Sequence, residues 1–212
     1  NNDGTKKAAN EPIEIDGKIA KAQDFDGTND AITVADSDSL TPVGSYTLSL
    51  WVNVDAYNGN YTLWVGKWVE TGNMREYAIG EGGTSSNRIV FYHAAAGSGS
   101  VMEYVDYERP ATGEWHHITG VFNSGSNIKL YLDGAEVSSK NTAVSAVVNG
   151  TAPFKFASSE FGGRTNYLNG KIDEVRLSNT NRSAAWIKAS YNSENNSLVS
   201  YGNEEGIDNA VF

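Results

Sequence analysis

Two kinds of side chain in this sequence could do chemistry: carboxylates gathered in a glycine-containing turn, and aromatic rings in strand-like segments. In Phe25-Asp-Gly-Thr-Asn-Asp30, Asp26 and Asp30 lie where backbone carbonyls are also free to face a cation. Oxygen-only donors suit calcium rather than zinc. The same aspartates can instead cap the turn and accept backbone N–H groups. The rings of Trp64, Trp68, Tyr77, Tyr92, Tyr104 and Tyr107 can stack on sugars, and Arg75, Arg88, Arg164, His93 and Asn166 can hydrogen-bond hydroxyls or pair with acids. Strand parity puts Trp64 and Trp68 on one face, opposite Leu63 and Val65, as a two-ring glycan platform. The competing role for each ring is packing, because aromatics are also the usual filling of strands. The glycan set read from these residues is Trp64, Trp68, Arg75, Tyr77, Tyr92 and Arg164.

Catalytic chemistry finds little material. The chain has no cysteine and three histidines, which excludes thiol catalysis, zinc ribbons and redox motifs. No Gly-x-Ser-x-Gly elbow is present. His116 and His117 are adjacent in a strand-like segment, so their side chains face opposite ways and cannot chelate one ion together. His117, on the face of Trp115, is expected in the core or an interface. Glu174 and Arg176 are expected to form a simple exposed ion pair, worth about 0–1 kcal/mol.

The elements that must position these groups are strands. Tyr46-Thr-Leu-Ser-Leu-Trp-Val-Asn-Val54 alternates with period two, as a half-buried strand does. Weaker strands are expected at Tyr61–Trp68, Arg75–Gly80, Arg88–Tyr92, Val101–Asp106, Phe154–Ser158 and Leu168–Ser178. Trp115–Phe122, a turn over 123–126, Asn127–Leu132 and Ala135–Ser139 read as consecutive hairpins, and Asp133-Gly134 favours a type I′ turn. Ser183 can cap one helix running to Tyr191. The spacing suits a single sandwich, and 212 residues bury enough surface to need no disulfide. A formal charge of −10 disfavours nucleic acid as a partner. No apolar run reaches the ~20 residues of a membrane span. The polar start, Asn1-Asn-Asp-Gly4, carries no signal peptide, as expected if one was removed or the chain begins inside a longer protein.

Three stretches in this order resemble the bacterial laminin G-like, concanavalin A-like jelly-roll family: Lys18–Ile32, Trp115–Phe122 with Leu130–Gly134, and Gly170–Leu177. The resemblance implies an all-β, antiparallel β-sandwich over residues 1–205 with one short C-terminal helix, followed by a tail at 206–212. It implies a structural calcium held by Asp26, Asp30 and Asp173, with the Gly27 carbonyl as a further ligand. It also implies a strand ahead of Asn1–Thr5, leaving a sheet edge open. The family includes hydrolases and lyases, but their motifs fail here. Glu14-Ile-Asp-Gly-Lys-Ile19 has Ile19 where the glucanase pattern requires a second Glu, and the sole glutamine, Gln23, precedes Asp24 rather than lying near a histidine. The expectation is a non-catalytic, extracellular or cell-surface recognition domain for a glycan or cell-surface polysaccharide. The alternative is a structural or adhesive subunit that binds protein partners, copies of itself included, by strand exchange through Gly206–Phe212. Sequons at Asn60, Asn149, Asn181 and Asn195 permit glycosylation.

Overall fold

The computed structural model describes residues 2–6, 11–58, 61–82, 87–94, 102–145, 147–161 and 164–197, without the side chains of residues 73, 161 and 164. In chain order the strands are β1 (Gly4–Lys6), β2 (Ile13–Asp16), β3 (Lys21–Asp26), β4 (Ile32–Val34), β5 (Tyr46–Ala56), β6 (Leu63–Val69), β7 (Met74–Glu81), β8 (Arg88–Ala94), β9 (Met102–Glu108), β10 (Trp115–Asn123), β11 (Asn127–Leu132), β12 (Ala135–Asn141), β13 (Phe154–Phe156), β14 (Ser158–Phe161), β15 (Arg164–Tyr167) and β16 (Asn169–Ser178). One helix, α1 (Ala184–Glu194), follows. Two seven-stranded antiparallel sheets stack, in the orders β1-β4-β13-β6-β7-β8-β9 (sheet A) and β12-β11-β10-β5-β16-β3-β2 (sheet B). The pair β14-β15 forms a small hairpin beside β6. This is the antiparallel sandwich with one short helix that the sequence implied.

The core lies between the sheets. Leu48, Leu50, Val52 and Val54 of β5 meet Val65, Tyr77, Ile79 and Phe91 from sheet A. The sheets approach so closely at β10 that a Cβ added to Gly120 would come within 2.4 Å of the Phe91 ring. The type I′ turn forms as expected: Asp133 and Gly134 both have positive φ, at 52° and 77°, and join β11 to β12. Ser183 caps α1 by accepting the Trp186 N–H.

The alternating β5 segment is not half-buried; all nine residues from Tyr46 to Val54 are buried. Helix α1 lies over the outer face of sheet B and supplies the missing cover. Trp51 stacks on Tyr191 at 5.7 Å between ring centroids, and its indole N–H donates to Glu194 at 2.6 Å. Arg176, Ser190 and Glu174 complete that network, so the Glu174–Arg176 pair is tied to the helix rather than isolated. His117 packs against Trp51 at 5.3 Å.

Between β1 and β9, and between β2 and β12, every described neighbour in each sheet is hydrogen-bonded. The edges are blunt: β1 and β2 have three and four residues, while β9 and β12 carry Glu103, Asp106, Glu108, Glu136 and Lys140. Short, charged edges resist pairing with another chain. The tail at 206–212 lies outside the described residues.

Burial holds the His117 imidazole down to about 4, from 6.5. The unfolded chain therefore takes up a proton that the folded one refuses, and stability present above pH 6.5 is lost as pH falls toward 4. In urea unfolding, a His117→Gln variant is expected to lack roughly 2–3 kcal/mol of the decline that the parent shows over that window. Parallel pH profiles for the two proteins would contradict this.

Candidate functional site

The two-tryptophan platform does not form, and the reason is local. Along β6 and β7, Leu63 pairs with Gly80 but Val65 with Ile79, so Trp64 is an extra residue with no cross-strand partner. Lys67 pairs with Tyr77 but Trp68 with Arg75, which leaves Glu76 extra on the other strand. Each extra residue is a β-bulge and reverses side-chain parity beyond it. Trp64 therefore joins Val65 in the core, and Trp68 joins Leu63 and Ala78 on the outer face of sheet A. Gly66, between them, has φ 156° and no room for a Cβ, which would lie 2.4 Å from the Tyr77 carbonyl.

Tyr77 is also a core residue. Its hydroxyl donates to the Leu40 carbonyl at 2.5 Å, and its ring packs against Tyr46 and Phe154. His93 stacks on Phe122 at 3.8 Å and shares a 3.0 Å hydrogen bond with the Tyr46 hydroxyl. Trp64, Tyr77 and His93 are thus corrected from surface groups to packing. The Arg164 side chain lies outside the described residues, while Asn166 sits in the β14–β15 hairpin.

What the outer face of sheet A does carry is a row of three rings, from β6, β8 and β9, with the small Ala78 of β7 between the first two. Trp68 is 5.2 Å from Tyr92, and Tyr92 is 6.0 Å from Tyr104, its direct partner on β9. Exposure rises along the row from 4% at Trp68 to 53% at Tyr104. Burial pushes the Tyr92 phenol far above its ordinary value, reinforced by Tyr61, Tyr104 and Asp106, so its hydroxyl keeps its proton and can donate. The Arg75 guanidinium lies over the Trp68 ring at 5.8 Å and pairs with Glu70 at 3.0 Å. At the row's other end Arg88 faces Asp106 at 3.9 Å, and beside β6 Lys155 pairs with Glu160 at 3.0 Å. Tyr107 lies opposite the core residue Ile89 and belongs to the inner side of the edge strand.

Of the residues set out for sugar contact, the structure gathers Trp68, Arg75, Tyr92 and Tyr104, while Arg88 lies on the same face four residues along β8 from Tyr92. Glu70, Asp106 and Glu160 were missed. Their signal is register: Glu70 and Arg75 flank the turn joining β6 to β7, and Asp106 is reached only by pairing β8 with β9.

The expected calcium set does not assemble. Asp26 Oδ1 accepts the Thr28 and Asn29 N–H groups, and Asp30 Oδ2 accepts the Asp26 N–H at 3.0 Å, which closes the turn internally. Asp173 stands four residues along β16 from Asn169, the partner of Asp26, or about 13 Å at the usual strand rise. A bulge after Asp173 turns it away from the apolar face of Val175 and Leu177, opposite Trp51. Its oxygens accept the Ile19 and Glu174 N–H groups, both at 2.8 Å. Asp173 thereby fastens the 17–20 turn to β16, and the backbone donors satisfy its buried carboxylate. Among the described residues, no group of three or more His, Cys, Asp or Glu is placed to hold a metal. Glu14 and Asp16 lie exposed on β2, the edge of the other sheet.

A family model described as the concanavalin A-like lectin/glucanases superfamily matches residues 26–188. Comparison with curated proteins returns no match. Among solved structures, the chain is similar to the binding domain of Paraclostridial Mosquitocidal Protein 1, with TM-score 0.72 and 16% identity over 91% of this chain and 48% of that one. It is similar to the binding domain of botulinum neurotoxin DC in complex with SialylT, with TM-score 0.68 and 15% identity over 92% and 47%. It is also similar to domain 4 of AbnA, a GH43 extracellular arabinanase from Geobacillus stearothermophilus, in complex with arabinotriose, with TM-score 0.64 and 19% identity over 87% and 86%. The chain spans about half the length of the two toxin domains. At these identities the likeness is one of fold.

Because one oxygen each of Asp26 and Asp30 and both of Asp173 already hold backbone donors, the melting temperature is expected to be the same in calcium and in chelator. A calcium-dependent rise of several degrees by calorimetry would show that the turn opens to take the ion.

Proposed function

The chain belongs to the concanavalin A-like lectin/glucanases superfamily, and from that premise we propose that it is a non-catalytic carbohydrate-binding domain whose ligand lies on the outer face of sheet A. The observation that carries this reading is the graded aromatic row. Tyr104 offers an exposed ring for stacking, Tyr92 continues the surface, and Trp68 packs against Tyr92 at its buried end. Flat sugar faces carry axial C–H groups that pack on such rings, and a few convergent polar groups fix orientation. Here those are the Arg75–Glu70 and Arg88–Asp106 pairs, which offer N–H donors and carboxylate acceptors to sugar hydroxyls.

Three further points support it. The toxin domains are described as binding domains, and the AbnA domain is described in complex with arabinotriose. Neither hydrolase nor lyase motif survives in the sequence. Helix α1 covers the opposite face of the sandwich. The reading sets the domain outside the cell or at its surface, where polysaccharides are presented. It uses no calcium. Strand exchange, the other reading of the sequence, has no specific observation in its favour.

The test is a glycan array followed by calorimetric titration of the best binder against the parent and Tyr104→Ala. Tyr104 is exposed, so the variant should keep its stability within about 0.5 kcal/mol. Its affinity should fall roughly tenfold, the loss of ~1.4 kcal/mol expected of a stacking ring. No binding to any glycan, or undiminished binding by the folded variant, would remove the proposal.

A further inference from the structure

Among solved structures of this fold, one is described with a sialyl compound and another with an arabinose trisaccharide. The first ligand class is anionic and the second neutral. Fold alone does not choose between them. The charge arrangement around the aromatic row does.

Three cations among the described residues have register positions on this face: Arg75, Arg88 and Lys155. Each is matched by a carboxylate: Glu70 at 3.0 Å, Asp106 at 3.9 Å and Glu160 at 3.0 Å. Glu108, opposite Arg88 on β9, adds a fourth carboxylate to three cations. The chain as a whole carries −10. A ligand carboxylate would meet cations whose charge is already offset by the protein's own carboxylates, on a chain that is acidic as a whole. A neutral sugar meets neither obstacle. Each guanidinium–carboxylate pair presents donors beside acceptors, the pattern a pair of adjacent hydroxyls can bridge.

On the carbohydrate-binding reading, we infer that the outer face of sheet A selects neutral glycans and rejects sialylated or uronic-acid ones. Glu70 and Asp106 act as specificity-determining residues, holding Arg75 and Arg88 in the paired state. Removing one of those carboxylates takes away a negative charge beside the ring row and shifts the preference toward acid-bearing sugars.

The experiment uses array members in matched pairs that differ by one carboxylate, such as lactose with 3′-sialyllactose and xylo-oligosaccharides with their glucuronic-acid-substituted forms. Arabinotriose is included as an unpaired neutral probe. Parent protein and Glu70→Gln are compared at low and at physiological ionic strength. The parent should bind the neutral member of any recognised pair at least tenfold more tightly, with little dependence on salt. Glu70→Gln should narrow that ratio severalfold through a gain on the acidic member, and the gain should fade as salt rises. Equal binding within pairs, tighter binding of acidic members, or an unchanged ratio in Glu70→Gln overturns the neutral-glycan inference while the carbohydrate reading stands. Failure to bind any array member removes both.

Discussion

The arrangement of sheet A depends on two extra residues. Trp64 and Glu76 each lack a cross-strand partner, and each reverses the facing of the chain beyond it. Through the first bulge one tryptophan enters the sandwich core while the next stays outside. Through the second, Glu76 turns inward with Tyr77. It meets Lys67 at 2.9 Å, and Lys67 also reaches Asp36 and Thr41. Both Lys67 and Glu76 are fully buried, and burial pushes the Glu76 carboxyl up against the pull of Lys67. An ammonium and a carboxylate survive there because they satisfy one another and hold the 36–41 segment in place. The outer face keeps Trp68, Tyr92 and Tyr104 in a row because Arg75 rather than Glu76 stands opposite Trp68.

The two faces of the sandwich divide the work. Sheet B is sealed by α1, whose Tyr191 and Glu194 complete the packing of Trp51, while Asp173 anchors the preceding turn through backbone donors. In the Asp26–Asp30 turn and at Asp173, backbone N–H groups of the chain itself donate to the carboxylates. Sheet A offers an open-ended aromatic surface ringed by balanced charges. Rigidity on one side and exposed rings on the other suit recognition better than bond cleavage, which needs two carboxylates poised on one substrate.

Much of the fold was legible because it rests on local rules. The β10–β11–β12 hairpins follow from the alternation at Ile128, Leu130 and Leu132 and from Asp133-Gly134, and the helix begins where Ser183 can cap it. The site was legible in its residue types but not in its geometry. Parity counting assigned Trp64 and Trp68 to one face because it assumes one-to-one pairing, and a bulge has no signature in composition. The same one-to-one count would put Asp173 on the face of Val175, which the bulge after Asp173 prevents. Burial of both faces of β5 was hidden because the helix that covers it lies more than a hundred residues away in the chain. The ion pairs around the aromatic row join different elements and became visible only with the register.

The central claim is that ligand meets the Trp68–Tyr92–Tyr104 row and nothing on the helix-covered face. The five tryptophans each give one indole N–H resonance, so a heteronuclear NMR titration with a bound glycan reads the location directly. The account predicts that the Trp68 indole signal shifts with saturation while those of Trp51, Trp115 and Trp186 stay in place. Movement of Trp51 or Trp186 with Trp68 unmoved would put the ligand on the opposite side of the sandwich and contradict it.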